Sequence, residues 1–473
     1  MRSKSKKLFF YLSTVGIVFL LGLTIFFSFF IYWDTSSYYR KTYYDNISIR
    51  KFPYPFRAAL TLCSDIDATD SLREFLTIQE FLNTKNHTVL GKGIGLEIGN
   101  SFFPVRSNKK KFSLMSDNPH DQEVIIDLIH LGYIDFIHSF NSAKNRQEIK
   151  RILEVLSKNN CKLDVWVNHA KAPSDLGPCK WCLGDNPDSS IYHSDISKKK
   201  LGYIFVWMGD ISSILGQGRP LTLTSFFDAF DKSHPFQSLI NNVFKEIGKY
   251  ILSVLGSEKY AMRRYNDLVT VSLLDDGQKV FKFMRSGIAY YGIGKAATAK
   301  GLSDIIRKDS LKKLVSVGGY MIIYTHLGKN QGYPYLPKRT IEALRLLEQA
   351  YRRGDIYVTT TAKLLKYYVN KKYLNWHVKF TKHAVNIYID NISDPVRGTF
   401  IPNLEDLSGI TFYTNQPKKT HIFLAIDKNH YQEITDVVRN GPDYTGRKSI
   451  MIPIKHLKKI DSLMKIYHKE GLF

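Results

Sequence analysis

The chain has 473 residues, of which 44% are hydrophobic and 23% are charged. This composition excludes a disordered or fibrous protein and is sufficient for two or three packed domains. Lys and Arg outnumber Asp and Glu by 67 to 43, a formal net charge of +24. The basic residues match no nucleic-acid-binding motif and form no long run, so nucleic acid is not an expected partner.

The first predicted element is a membrane-spanning segment. Residues 8–33 contain no charged side chain, and as a helix they exceed the ~30 Å hydrocarbon layer of a bilayer. Basic residues precede the segment and Asp34 follows it, so the positive-inside rule predicts a cytoplasmic tail over residues 1–7 and an extracytoplasmic remainder. A cleaved signal peptide is the competing interpretation, but the apolar run is longer than an h-region. The sequence therefore predicts a single-pass signal-anchor in the cell membrane, followed by a tether over residues 34–56.

Short apolar runs alternate with helical patterns over residues 57–370. The runs that resemble strands cover residues 58–63, 94–99, 133–138, 163–167, 203–207, 268–274, 320–325 and 355–359. Such alternation favours a parallel sheet covered by helices, and its seven or eight units favour a (β/α) barrel over an open sheet. Asp275, Asp276 and Gly277 are typical of a hairpin turn.

After Lys371 the pattern changes to strands with few helices. The runs VNIYID, GITFYT, HIFLAI and SIMIPI are separated by turn residues. Residues 371–473 are therefore predicted to form a small β-sandwich-like accessory domain packed on the barrel.

Asp and His residues follow several of the predicted barrel strands. Asp65 and Asp67 end the first run, His138 the third and His169 the fourth, and His326 ends the run over 320–325. The carboxyl ends of barrel strands meet at one rim, where active sites of such barrels are found. Carboxylates together with imidazoles are the ligands of a zinc-type centre that keeps an open position for water.

Three short motifs carry a resemblance to a known family. The stretches ALTLCSDID (59–67), HSFNS (138–142) and YTHL (324–327) resemble motifs of the NodB-type polysaccharide deacetylases, and TTTAKLLKYY (359–368) resembles their closing segment. The resemblance covers about residues 57–370. It implies an irregular (β/α) barrel of the NodB type and the metal-assisted removal of N- or O-acetyl groups from glycans.

The resemblance also implies roles for individual residues. Asp65 corresponds to the general base of the family, and Asp67 to the metal-binding Asp, although the two are separated here by one residue. His138 matches the first metal-binding His. Ser142 occupies the place of the second, and Ser is a poor zinc ligand.

A neighbouring residue is therefore predicted to complete the metal site. We expect His169, at the end of the adjacent strand, to supply the missing nitrogen. Asp67, His138 and His169 would then hold a divalent ion, with zinc as the preferred candidate. His326 would then be the general acid of a metal-dependent hydrolase.

Further residues are predicted to contact the substrate. The segment between His169 and His193 contains Gly and Pro and is predicted to be a loop over the same rim, from which Asp185 and His193 could bind sugar or metal. Glu97 and Asn100, after the second strand, would face the rim on the barrel interpretation. Asp at a strand end is also a common helix cap, and a single His there is often structural.

The four cysteines fall into two classes. Cys179 and Cys182 form Cys-x-x-Cys in the loop, for which a local disulfide is the plainest interpretation, since the loop offers neither a redox context nor two more zinc ligands. Cys63 and Cys161 lie in or beside strands and are expected to be buried.

The leading interpretation is thus a membrane-anchored, extracytoplasmic deacetylase acting on a cell-surface or extracellular polysaccharide. One alternative is a metal-independent barrel glycosidase with Asp65 or Asp67 and Glu97 as paired carboxylates. Another is an inactive barrel that binds glycan through aromatic side chains. The sequence indicates no oligomeric state.

Overall fold

The computed structural model describes residues 47–169, 172–289, 293–329, 334–427 and 429–473, together with residues 22, 24, 25, 27–36, 38 and 39. The described chain is a mixed α/β protein with several small sheets. Residues 27–36 are helical and are called α1; the other α-helices are α2 (Leu72–Asn83), α3 (Pro119–Leu131), α4 (Arg146–Lys158), α5 (Ser194–Leu201), α6 (Pro235–Ser238), α7 (Lys245–Val254), α8 (Ala261–Arg264), α9 (Ile293–Ala296), α10 (Ala299–Ile305), α11 (Lys308–Val317), α12 (Lys338–Arg352), α13 (Thr361–Lys372) and α14 (Asp461–Lys469).

The strands are mostly short. They are β1 (Ser48–Ile49), β2 (Ala58–Ser64), β3 (His87–Thr88), β4 (Gly91–Lys92), β5 (Phe136–His138), β6 (Val165–Val167), β7 (Phe205–Trp207), β8 (Ile211–Ser212), β9 (Val269–Leu273), β10 (Lys279–Phe283), β11 (Arg285–Ser286), β12 (Tyr320–Thr325), β13 (Ile356–Val358), β14 (Leu374–Phe380), β15 (Val385–Asp394), β16 (Gly398–Phe400), β17 (Thr411–Tyr413), β18 (Thr420–Ala425), β19 (Tyr431–Glu433), β20 (Val438–Asn440) and β21 (Ser449–Met451).

Two five-stranded sheets position the candidate site. One has the order β13-β2-β12-β11-β8, and the other has the order β5-β6-β7-β10-β9. All seven residues of β2 are buried, as is typical of a parallel strand covered on both faces. Its pairing with β12 is parallel and runs from Ala59 opposite Tyr320 to Ser64 opposite Thr325. These two strands therefore end side by side.

The two sheets are connected in two places. Only Met284 separates β10 of one sheet from β11 of the other. Asn100 makes single parallel bridges to Ser64 and to Ile134, just before β5. The strand ends of both sheets are thus brought towards the same region.

The prediction of a single (β/α) barrel is wrong. The described strands form several small sheets, and none of these is one closed barrel. Residues 94–99, which were predicted to form a strand, are irregular. In this part of the chain only Asn100 bridges to the neighbouring strand segments. In addition, β9 and β10 pair antiparallel, which interrupts the parallel order. The predicted turn between them is confirmed, with Gly277 at a positive φ of 82°.

The β-rich region after α13 consists of two sheets. One has the order β14-β15-β18-β19, with β16 on β15, and the other has the order β1-β17-β21-β20. Because β1 belongs to the predicted tether, this region is not built from residues 371–473 alone. Arg50 is buried beside β1 and forms an ion pair of 2.9 Å with the buried Asp443. One core cluster contains both Tyr320 and Ile389, so the two parts of the chain pack together.

The predicted membrane-spanning segment, residues 8–33, lies largely outside the described residues. Within the part of the chain that is described, no helix has the length and apolar character needed to cross a bilayer. Part of α1 packs on the protein: Ile31 is buried, and the Thr35 hydroxyl accepts a hydrogen bond of 3.0 Å from the Leu221 N–H. This finding contradicts the predicted single-pass anchor and the single-pass localisation in the cell membrane that followed from it.

Candidate metal centre

Strand ends deliver six polar side chains to one place in the fold. Parallel strands carry the residues that follow them to the same side of a sheet, which explains the convergence. Asp65 and Asp67 follow β2, His138 ends β5, His169 follows β6, Arg285 begins β11 and His326 follows β12.

Asp67, His138 and His169 form a group that can hold a metal ion. One donor atom from each lies within 4.8 Å of the other two. His138 Nε2 is 3.3 Å from His169 Nδ1, and His169 Nδ1 is 3.8 Å from Asp67 Oδ1. Ligands bound to a tetrahedral zinc ion at about 2.0–2.2 Å lie about 3.3–3.6 Å from one another. The spacing therefore suits a small cation.

The hydrogen bonding of the two imidazoles also fits a cation. Two ring nitrogens that face each other at 3.3 Å can share only one proton, whereas a cation accepts both lone pairs. The other nitrogen of His138, Nδ1, is buried and has no hydrogen-bond partner among the described residues. Burial lowers the pKa of His138 to about 4, so the ring is neutral at neutral pH, which is the form that binds metals.

Local contacts fix the two histidines. The ring of His138 packs against Phe103, with 4.5 Å between centroids. The backbone N–H of His169 donates to Asp175 Oδ1 at 2.7 Å. Asn168 exchanges two hydrogen bonds with the backbone of Leu176, at 2.7 and 3.0 Å. The loop after β6 is thus pinned just where His169 leaves the strand.

Asp67 remains ionised in this group. Burial acts to raise the pKa of Asp67, but the hydrogen bond from His326 and the charges of the neighbouring imidazoles outweigh it and hold that pKa well below its usual range. Lys329 Nζ lies 3.4 Å from Asp67 Oδ2. A negative donor is therefore present at neutral pH.

Asp65 is held by a residue that the sequence reasoning missed. Both of its oxygens accept from the Arg285 guanidinium, at 3.0 and 3.1 Å, and both side chains are buried. The guanidinium lies over the rings of Trp207 and Tyr324, at 4.0 and 4.8 Å from their centroids. The bidentate pair fixes the orientation of Asp65. An Arg at the end of the apolar run KVFKFM, directly after the predicted hairpin, was the available signal.

His326 lies beside Asp67 of the metal group. Its Nδ1 faces the Ala297 carbonyl oxygen, and its Nε2 lies 3.2 Å from Asp67 Oδ2 and 3.4 Å from the Tyr324 hydroxyl. The side chain is buried. A carbonyl oxygen can only accept, so the ring donates to Ala297 from Nδ1 and directs Nε2 at the carboxylate.

Ser142 does not belong to the group. It lies half-buried in the turn after β5, while His169 supplies the second nitrogen. The structure therefore brings together the three predicted ligands, with the predicted base Asp65 and acid His326 beside them.

The four predicted substrate-binding residues lie elsewhere or are engaged in structural contacts. Glu97 accepts from Lys363 Nζ and from the Leu457 N–H, both at 2.8 Å. Asn100 is buried between Ser64 and Ile134.

The other two belong to the loop after β6. Asp185 is buried, and its Oδ2 accepts from the Gly177 and Asp275 N–H groups, each at 3.0 Å. Both ring nitrogens of the buried His193 are bonded at 3.0 Å, to Ser197 and to the Ser174 carbonyl. These contacts hold the loop to its own backbone, to α5 and to the turn after β9.

The cysteines are placed as predicted. Cys179 and Cys182 form a disulfide within the loop, and Cys63 and Cys161 are free and buried.

Comparison with known proteins adds no assignment. No protein-family model matches the chain, and no curated protein matches it either.

Proposed function

We propose that the chain is a metal-dependent hydrolase that removes acyl groups, in first place acetyl, from a polysaccharide. The observation that carries the proposal is the metal-binding group Asp67, His138 and His169 with the oriented carboxylate of Asp65 and the buried His326 beside it. One carboxylate and two imidazoles favour a zinc-type ion with room for water. When bound, such an ion lowers the pKa of water and polarises an acyl carbonyl group.

Asp65 is the proposed general base. The Arg285 guanidinium holds both oxygens in a fixed orientation, yet each oxygen keeps a lone pair that can accept another proton. A carboxylate fixed in this way loses little conformational freedom when it takes a proton from water.

His326 is the proposed general acid. The Ala297 carbonyl fixes the ring through Nδ1, and Nε2 points towards the metal group through Asp67. A proton on Nε2 is therefore placed for transfer to the departing amine or hydroxyl group of the sugar. The buried position shields this proton from bulk water.

The proposal is tested first by metal content and then by acetate release. The protein and the double variant Asp67→Ala, His138→Ala are dialysed, and bound metals are measured by mass spectrometry. About one zinc or similar ion per chain is expected in the protein and none in the variant. His430→Ala is the matched control, because His430 and Asp427 form an exposed pair in another part of the fold.

Acetate release from acetylated glycans then tests the reaction. Release by the metal-loaded protein, lost in the double variant and retained in His430→Ala, is the expected result. Metal binding without acetate release would favour a glycan-binding protein. Absence of metal in every form would contradict the proposal.

A further inference from the structure

The helical run from α6 to α7 has apolar side chains on both of its long faces. The run is continuous from Pro235 to Val254, with a wider π-helical turn over Leu239–Phe244. Val243 and Tyr250 on its inner face are buried in a small core cluster with Ile214, Leu221 and Phe226. A helix at the surface of a globular protein is normally apolar on one face only.

The outer face carries a stripe of large exposed side chains. Phe236, Phe244 and Leu255 are 75%, 61% and 76% exposed, and Ile240 and Ile251 are also exposed. Their spacing of four, four, seven and four residues places them along one side of a helix. We call these five residues the α7 stripe. Contiguous exposed apolar surface of this kind marks an interaction site.

The helix α1 shares the small core cluster beneath α7 and also has exposed aromatic side chains. Ile31 of α1 is buried in the same small core cluster as Val243 and Tyr250, so α1 packs beside α7. Phe29, Phe30, Tyr32 and Trp33 of α1 are exposed. Trp and Tyr are enriched where protein meets the headgroup layer of a bilayer.

The charges around the stripe favour a lipid surface as the occupant. Lys245 is exposed within the run, and Lys232 and Lys259 are exposed just beyond its two ends. The acidic neighbours are Glu258, which is exposed, and Asp231, which lies near His234. Lys249 is paired with the buried Glu246 at 2.9 Å. Helices with Phe, Leu and Ile on one side and Lys at the margins lie in the interface of bilayers, and anionic lipid attracts them. The net charge of +24 acts in the same direction.

We propose that the α7 stripe and the aromatic side chains of α1 rest on the surface of a bilayer that contains anionic lipid. The helices lie in the interface and do not cross it, so this contact differs from the single-pass anchor corrected above. It is also independent of the proposed hydrolase activity, because it uses none of the residues of the metal centre. Its effect would be to bring the enzyme to substrates at a lipid surface.

An environment-sensitive dye at the stripe tests the contact directly. The full chain with Phe244→Cys is labelled with a nitrobenzoxadiazole dye, and the matched control carries Gln432→Cys, an exposed position on β19. Native cysteines do not compete, since two form a disulfide and two are buried. With vesicles of phosphatidylcholine and phosphatidylglycerol, we expect a blue shift and a several-fold rise in emission at 244 and no change at 432. Added salt should weaken the effect.

Other occupants of the stripe give different results. A dye at 244 that is already blue-shifted without vesicles in a dimer, shown by sedimentation, would mean that a second copy covers the stripe. The same emission in a monomer would mean that residues 1–21 of the chain cover it. Either result, or unchanged emission with vesicles, would overturn the proposal.

A second variant tests the same contact without a dye. Phe236→Ser, Phe244→Ser, Ile251→Ser should float with anionic vesicles several-fold less than the unaltered chain, while its thermal unfolding temperature stays close to the original. Flotation equal to that of the unaltered chain would contradict the proposal.

Discussion

Aspartate and histidine side chains occur together in two regions of this fold, and their surroundings differ. The rim group, Asp67, His138, His169 and His326, lies at strand ends, and its side chains face one another. The loop pair, Asp185 and His193, is fully buried after β6 and bonds mainly to backbone groups. Both ring nitrogens of His193 have partners, whereas His138 directs one nitrogen at another imidazole and leaves the other unbonded among the described residues. The difference between the two histidines teaches that unfinished hydrogen bonding of the ring, more than residue type, distinguishes a binding imidazole from a structural one.

The largest expected effect concerns a rim residue and the reaction. His326→Gln removes the proton donor but leaves the three metal ligands in place. If His326 is the general acid, deacetylation should fall about 10²–10⁴-fold, with metal content unchanged. Acetate release and metal analysis of the same preparation measure both. Full activity in His326→Gln would contradict a catalytic role of His326 in the rim group.

The next effect concerns the support of the rim. Arg285→Met leaves the Asp65 carboxylate buried without its partner, which should lower the free energy of unfolding by about 3–5 kcal/mol. Denaturant unfolding measures it. The double variant Asp65→Leu, Arg285→Met should recover much of the loss, because no charge then remains unpaired. A loss as large in the double variant would mean that packing on Trp207 is what matters.

His193 of the loop pair should contribute to stability against acid. Burial lowers the pKa of His193 to about 4, against about 6.5 in the unfolded chain. The unfolded state therefore binds the proton more readily, and the stability due to neutral His193 is present above pH 6.5 and is lost as the pH falls towards 4. The loss amounts to about 3 kcal/mol.

Replacing His193 by Asn should flatten this part of the pH dependence. Urea unfolding of His193→Asn between pH 7 and pH 4 measures the slope, and His430→Asn, an exposed histidine, is the control. Metal content of His193→Asn should equal that of the unaltered protein. An unchanged slope would show that the loop pair is not the structural group inferred here.

The smallest effect concerns Lys329. Its ammonium group lies 3.4 Å from Asp67 Oδ2 and is partly exposed, so it opposes a cation at the rim by about 1 kcal/mol. Lys329→Gln should therefore bind zinc a few-fold more tightly in a competition titration with a chelator. Weaker zinc binding in this variant would instead indicate that Lys329 holds Asp67 in position.

The sequence allowed the rim group to be predicted because strand ends leave a local pattern. Asp65, Asp67 and His138 directly follow or end buried apolar runs, and His169 and His326 do the same. Arg285 was missed because an Arg that ends an apolar run has no local sign of its distant partner Asp65. The orientation of Asp185 and His193 was beyond sequence reasoning as well, since it depends on backbone groups of Gly177, Asp275 and Ser174.

The arrangement of the sheets was less predictable than the site. The individual apolar runs at 58–63, 203–207 and 320–325 do contain strands. Which strands pair depends on contacts between distant parts of the chain, and the run at 94–99 shows that an apolar alternation can remain irregular when only Asn100 meets the neighbouring strands. Such non-local choices leave no periodic signal.

The pairing of β1 with β17 also has a consequence for the order of folding. Ser48 lies opposite Tyr413 and Ile49 opposite Phe412, while β21, close to the C-terminus, covers the other side of β17. During synthesis the segment around residues 48–50 stays unpaired, with Arg50 uncovered, until residues 411–413 and then Asp443 have left the ribosome. Closing this sheet is therefore a late event of high contact order. A nascent chain that stops before residue 449 should expose residues 48–56 to protease, and release of the finished chain should protect them.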